Sequence, residues 1–405
     1  MKWEMVKLEE LYDVHNGLSK GGKFFGSGFP FLTFSTVFNN YFIPEQITDY
    51  VQSTPKEQES YSIHRGDVFV TRTSETSDEL GMSCVALKDY PNATYNGFTK
   101  RMRPKTDRVL PEYIGYYMRM PGFRSEFQAF STMTTRASLK NEDLLSLKVC
   151  LPPIETQCRI ANILSTYDNL IKNNQKQIKL LEEAAQRLYK EWFVDLRFPG
   201  YEDTPVVDGV PEGWRILHIS DICDTVGGGT PSTKVKEYYQ DGDILWVTPT
   251  DITRNNSLIV LDTDTKITKE GLEHSSAKMV PPETILMTSR ASVGFFGLCE
   301  HEVCTNQGFI SCIPYRGKMQ MYLLYNLMNR VDEIRGKAGG STYLEISKKV
   351  FRDFKIVVPD DSTLNTFQSI VYTYIQQMRV LTKTIKQLQQ ARDRLLPKLM
   401  GGVFG

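Results

Sequence analysis

Residues 160–192 read IANILSTYDNLIKNNQKQIKLLEEAAQRLYKEW. Within this stretch Ile160, Leu164, Tyr167, Ile171, Asn174, Ile178, Leu181, Ala185, Leu188 and Trp192 follow one another at alternating steps of four and three. That spacing keeps one side of an α-helix apolar turn after turn, and it is the period of a heptad seam. Adding 207 to each number gives Phe367, Val371, Tyr374, Met378, Leu381, Ile385, Leu388, Arg392, Leu395 and Leu399, nine of which are apolar. Two long helices with one shared seam are expected, over 152–196 and 359–400.

The helix ends carry matching signals. Pro153 suits a first helical turn, where its missing N–H costs nothing. Asp360, Asp361 and Ser362 place acids and a cap at the positive end of the second helix. Gly401-Gly402 follows it as a stop. About 40 residues at ~1.5 Å each make a rod of ~60 Å.

The duplication extends beyond the helices. Trp3, Val6, Leu8 and Leu11 parallel Trp214, Leu217, Ile219 and Ile222 at an offset of 211. Gly66–Thr73 parallels Pro282–Arg290, and Tyr95-Asn96-Gly97-Phe98 parallels Asn306-Gln307-Gly308-Phe309. Leu147–Pro152 parallels Phe354–Pro359, again at 207. Between the halves, Arg197–Gly213 holds three prolines and three glycines and reads as a linker. The expected order is a first globular domain over 1–151, a helix over 152–196 and a linker over 197–213. A second domain over 214–358, a helix over 359–400 and a tail over 401–405 complete it. Short alternating segments such as Asp67–Thr71 and Thr284–Thr288, set between turn clusters, make the globular parts β-rich within an α+β fold.

Composition narrows the class. The chain has 405 residues, 48 basic and 48 acidic, with 40% hydrophobic and 11% aromatic residues, which is enough to build ordinary cores. Zero net charge argues weakly against a nucleic-acid binder. Locally, Lys100–Arg108 holds five basic residues against one acid, which suits either a DNA contact or a solvated strand end. No apolar run is long enough for a membrane helix, and the start lacks a signal-peptide core. Seven scattered cysteines, none in a C-x-x-C pair, read as reduced and cytosolic, so a cytoplasmic location is expected.

Catalytic motifs are missing. There is no G-x-x-x-x-G-K-[S/T] loop. Gly227-Gly228-Gly229-Thr230-Pro231-Ser232-Thr233 lacks the phosphate-reaching lysine and reads better as a DNA-facing loop than as a nucleotide cradle. His301 with Cys299, Cys304 and Cys312 fits no structural zinc spacing and reads as buried thiols. No metal, cofactor or catalytic residue is assigned to the chain.

Several of these segments resemble the specificity-subunit family of type I restriction–modification enzymes, often called HsdS. The strongest is Leu151-Pro152-Pro153-Ile154-Glu155-Thr156-Gln157-Cys158-Arg159-Ile160-Ala161, with Leu164-Ser165 and Asp168 after it. It is similar to the family's entry into its first spacer helix. Leu188–Asp195 with Phe198-Pro199-Gly200 and Gly213-Trp214 resembles the exit. Gly228–Ser232, Trp246–Ile252 and Thr305–Phe309 are also family-like, whereas the first half matches mainly at Gly17-Leu18-Ser19-Lys20. The second helix departs at its start, since Pro359–Leu364 lacks the usual proline pair and glutamine.

The resemblance implies two target-recognition domains held apart by an antiparallel coiled coil of the two helices. It implies double-stranded DNA as ligand, two methylation subunits on the coil, and restriction (motor) subunits joining later. S-adenosylmethionine, ATP and Mg would sit on those partners, and the reaction would be adenine N6 methylation or cleavage of unmodified DNA. Two like domains on such a rod would be related as DNA half-sites are, with centres on the order of 34–36 Å apart or a multiple of it.

Readout of bases needs forked donors and amides, and phosphates need Lys, Arg and hydroxyls. The candidates are polar residues of recurring loops. In the first half these are Lys20, Lys23, Arg72, Thr73, Ser74, Lys100, Arg101 and Arg136. In the second they are Thr230, Ser232, Lys234, Thr250, Arg290, Asn306, Gln307, Ser341 and Thr342. The alternative for each is a solvated or strand-capping residue, and Asn306 and Gln307 could instead satisfy buried backbone. The same reader serving a combined restriction–methylation enzyme, a nuclease with its own carboxylate–lysine centre, and a coiled-coil scaffold are the alternatives.

Overall fold

The computed structural model describes residues 3–74, 79–129, 137–255, 257–340 and 343–401. The chain divides into two compact units, Met1–Leu170 with Leu388–Gly405, and Ile171–Gln387. Both long helices, Ile154–Tyr189 and Asp361–Met400, contribute to each unit.

In the first unit, Tyr12–Asn16, Thr99–Pro104, Val68–Thr71 and Ser83–Val85 form a four-stranded antiparallel sheet in that order. Phe25–Leu32 pairs with Tyr50–Val51 on one side and with Thr94–Tyr95, in parallel, on the other. Glu4–Lys7 pairs with Lys148–Leu151, so the opening strand meets the last one before the helix.

The second unit repeats this plan by its own pairings. Cys223–Gly227, Phe309–Pro314, Ile285–Thr288 and Phe296–Cys299 follow the same order, and Ile259–Val260 adds an edge strand. Ile244–Val247 pairs in parallel with Cys304–Thr305. Arg215–His218 pairs with Lys355–Val358. Single hydrogen bonds recur as well. Leu8 N–H donates to Leu147 O at 2.9 Å, and Ile219 N–H to Phe354 O at 3.0 Å.

Burial follows the expected seam in the first helix; in the second, Phe367, Val371, Met378 and Leu399 are buried, the other six positions are partly so, and Leu364, Ile375 and Leu396 are buried beside them. Along the first seam Ile160, Leu164, Ile171, Ile178, Ala185 and Trp192 are buried, and Tyr167, Asn174, Leu181 and Leu188 partly so. One row of the heptad therefore lies deeper than the other. Within the first unit, Ile160 and Leu164 share a core with Leu395, Leu396, Leu399 and Met400. Within the second, Ile178, Leu181, Ala185 and Leu188 share one with Phe367, Val371, Tyr374, Met378, Leu381 and Ile385. Tyr189 and Trp192 meet the Phe367 ring at 6.2 and 6.0 Å.

The start of the second helix corrects the sequence reading. Gln157 is buried, accepts from Leu110 N–H at 2.8 Å, and donates to Arg108 O and Pro152 O. Gln368 does the matching job, accepting from Met321 N–H at 2.9 Å. The glutamine is present, 211 residues on rather than 207. The second helix begins one turn earlier relative to it, and four extra residues leave the same face inward.

Asp360 caps this longer start. Its carboxylate accepts from Ser362 N–H at 2.8 Å, Thr363 N–H at 3.0 Å, the Thr363 hydroxyl at 2.6 Å and the Trp214 indole at 3.2 Å. Partial burial pushes the carboxyl up, but these bonds outweigh it and hold it below the ordinary value. Asp360→Ala is expected to cost about 1–2 kcal/mol. A folded value below the unfolded one means the contribution is complete above the ordinary carboxylate range and is lost as pH falls through the folded value. Urea unfolding should show the gap between wild type and Asp360→Ala closing in acid; a gap independent of pH would contradict the assignment.

Candidate nucleic-acid interface

In the second unit three loops converge: Gly228–Lys234, Thr248–Thr253 and Thr305–Gly308. Backbone contact brings them together. Gly229 N–H donates to Thr305 O at 2.9 Å, Trp246 Nε1 donates to Gly229 O at 2.9 Å, and Asn306 N–H donates to Val247 O at 3.0 Å. A Cβ on Gly228 would lie 2.1 Å from Thr305 O, so only glycine lets the chains approach this closely. Asp251 accepts from Thr248 N–H and hydroxyl at 2.7 and 2.6 Å and fixes the short helix Pro249–Thr253.

Side chains then project from a rigid base. Thr230 hydrogen-bonds Gln307, and both are exposed. Asn306 is half-buried and accepts from Gly308 N–H at 2.9 Å, so its amide holds the loop. Ser232, Lys234, Thr250 and Arg290 are exposed. Arg290 lies 3.7 Å from Glu345, and its neighbour Ser289 donates to Gly308 O at 2.7 Å, which joins a fourth loop to the cluster.

The first unit builds the same base from different letters. Leu18 N–H donates to Tyr95 O and Gly97 N–H to Leu18 O, both at 2.8 Å. A Cβ on Gly17 would lie 2.0 Å from Asn96 O. Asn96 accepts from Phe98 N–H at 2.7 Å, as Asn306 does from Gly308. Arg72 N–H donates to Phe98 O at 3.0 Å, the counterpart of Ser289 on Gly308. Asn96 and the exposed Phe98 were absent from the sequence candidates; the quoted parallel set Asn96 opposite Gln307, and the structure moves it by one residue, opposite Asn306.

Several basic candidates turn inward instead. Lys100 and Arg101 are only 5% and 4% exposed. Their strand lies in the interior of the four-stranded sheet, and other parts of the unit cover both side chains. Lys100 bonds Asn141, and Arg101 donates to Ser62 O at 2.7 Å over the Tyr95 ring. Burial pushes both below their ordinary values. Further along the run, Arg103 grips the buried Asp67 at 2.6 Å, Lys105 faces Asp13 and Arg108 pairs with Glu4. Lys100, Arg101 and Arg103 are thus held by partners within the unit, whereas Lys105 and Arg108 form exposed ion pairs at the solvated end of the run.

Lys20 is also engaged, 2.8 Å from Glu57 and over the Phe24 ring. Its hydrogen bond, with that of Thr54, holds the Glu57 carboxyl below its ordinary value. Lys23 is exposed beside the same ring. Arg72 is half-buried, and Thr73 and Ser74 form a short strand with Ala137–Ser138. Arg136, Ser341 and Thr342 lie outside the described residues.

No group of three or more His, Cys, Asp or Glu able to hold a metal occurs among the described residues. Cys299, Cys304 and Cys312 are buried in strands, and burial pushes the first two thiols up to about 12. Among the described residues no helix is long and apolar enough to cross a membrane.

The family described as type I restriction modification DNA specificity domain matches residues 1–183 and 211–390. The chain is 24% identical over 463 residues to the type I restriction enzyme HindI specificity subunit of Haemophilus influenzae, covering 98% of this chain and 99% of that one. It is 22% identical over 410 residues to the putative MjaX specificity subunit of Methanocaldococcus jannaschii, covering 99% and 93%. The MjaIX specificity subunit of the same organism is 31% identical over 188 residues, spanning 44% of this chain and 43% of that one. Among solved structures, the type I system S subunit from M. genitalium superposes with a TM-score of 0.56 at 14% identity, over 98% of this chain and 96% of that one. That likeness is one of fold.

Proposed function

The chain belongs to the type I restriction–modification DNA specificity family, and from that premise we propose that it is the reader of a two-part, asymmetric DNA site. Each unit reads one half-site through its loop cluster. The two long helices form an antiparallel coiled coil that spaces the halves and docks two methylation subunits, with restriction subunits joining them. S-adenosylmethionine, ATP, Mg and the catalytic groups belong to those partners, and this chain is non-catalytic.

The observation that carries this reading is the repeated loop base with unlike side chains upon it. Asn96 and Asn306 hold equivalent turns, yet the two residues that follow are Gly97-Phe98 in one and Gln307-Gly308 in the other. A common scaffold with different polar groups suits two half-sites of different sequence.

Co-expression with the methylation subunit of the same system, followed by mapping of modified bases across a genome, tests it. The expected result is methylated adenine at bipartite sites with a constant spacer, lost when this chain is omitted. Modification that persists without the chain, or that follows one continuous site, would contradict it.

A further inference from the structure

In the second unit, the helix Lys348–Arg352 and the segment around Ser220–Thr225 border an open cleft of about 420 Å³. It is lined by Ser220, Thr225, Lys348, Lys349, Arg352 and Asp353. Three cations thus face one carboxylate, and all three are exposed. Thr225 is 8% exposed, lines the cleft, and its hydroxyl has no hydrogen-bond partner. A buried hydroxyl in that state is short of a ligand. The cleft adjoins the loop cluster, because a Cβ on Gly227 would sit 3.2 Å from Lys348 Nζ, and Gly228 begins the first converging loop.

The first unit differs at every matching position. The strand and helix equivalences place Glu9 where Ser220 stands and Val14 where Thr225 stands. Asn141, Glu142 and Leu145 stand in place of Lys348, Lys349 and Arg352. Asn141 is moreover bonded to Lys100. The matching positions carry three cations in the second unit and none in the first, where Glu9 is paired with Lys7 and Asn141 with Lys100.

We propose that the cleft of Thr225, Lys348, Lys349 and Arg352 holds a backbone phosphate of the DNA beside the half-site read by the second unit, with no equivalent contact from the first. This rests on the DNA-reading function proposed above. Cations with a fixed hydroxyl donor are the groups that hold a phosphate without reading sequence. The complex would therefore be anchored more strongly on one half-site than on the other.

The test measures binding of a duplex carrying the mapped site by the full chain, over a range of salt. Wild type is compared with the triple variant Lys348→Gln/Lys349→Gln/Arg352→Gln. Removing one phosphate contact should flatten the slope of log affinity against log salt by about 0.9. Site preference should be unchanged, and Lys348→Arg/Lys349→Arg should keep the wild-type slope. Glu142→Gln in the first unit should also leave it unchanged. An unaltered slope in the triple variant overturns the proposal while leaving DNA reading intact. An arginine variant that loses as much as the glutamine one overturns it too, since charge would not be the cause. Stabilisation of wild type by inorganic phosphate, with DNA binding indifferent to the triple change, assigns the cleft to a free anion and overturns it. Absence of duplex binding by wild type overturns the DNA-reading function and this inference together.

Discussion

Asp168→Ala is expected to destabilise the first unit by about 3–5 kcal/mol. Arg392 is the one charged member of the second seam, and it lies in that unit with its side chain 14% exposed. Its guanidinium donates to Asp168 at 2.6 Å and stacks over Tyr41, while the Tyr116 hydroxyl donates to the other Asp168 oxygen at 2.6 Å. Burial alone would push the Arg392 pKa down, but the hydrogen bond to Asp168 and the neighbouring charges raise it. Removing the carboxylate leaves the Tyr116 phenol without its acceptor and the part-buried Arg392 with only the more exposed Asp393, 2.9 Å away, which is why the loss exceeds that of a surface pair. Urea unfolding measures it. Asp168→Leu/Arg392→Leu should recover part of the stability, because neither charge then remains buried. A loss below about 1 kcal/mol from Asp168→Ala would show the pair to be solvated and dispensable.

Ile178→Asp should do comparable damage to the second unit. Ile178 is 3% exposed in a core shared with Phe367, Val371 and Met378. The change deletes a buried aliphatic side chain and inserts a carboxylate with no cation provided for it. A cost of about 4 kcal/mol or more follows, or outright loss of folding. Leu388→Asp should cost less, because Leu388 is half-buried and its new charge can reach water. Equal effects at both sites in thermal unfolding would contradict the two-depth seam.

The seam was readable in the first helix because each step of four or three returns to the same face; in the second it was readable only in part, since Ile375 and Leu396 are buried beside the expected positions. The loop base was legible only in part: Gly228 stood in a stretch read as a DNA-facing loop and Gly17 in a family-like one, but only the structure shows the close backbone approach that their missing side chains allow. Gln368 was hidden for a physical reason. An extra turn in the second helix shifts its numbering by four without disturbing the seam, so an alignment at 207 fits the apolar positions and misplaces the glutamine. Lys100, Arg101 and Lys20 show the opposite limit. A basic side chain looks alike in sequence whether it faces a phosphate, a carbonyl or a carboxylate, and only the strand order brings Ser62, Asn141 and Glu57 to these three. The cleft at Lys348 escaped notice because its cations and its Thr225 hydroxyl are far apart in the chain.

The most direct test of two-part readout is an exchange of residues 214–358 for the matching region of a relative, followed by mapping of methylated bases. One half of the site should change while the other half and the spacer stay as they were, since the helices are untouched. A change in both halves together, or in neither, would contradict the account.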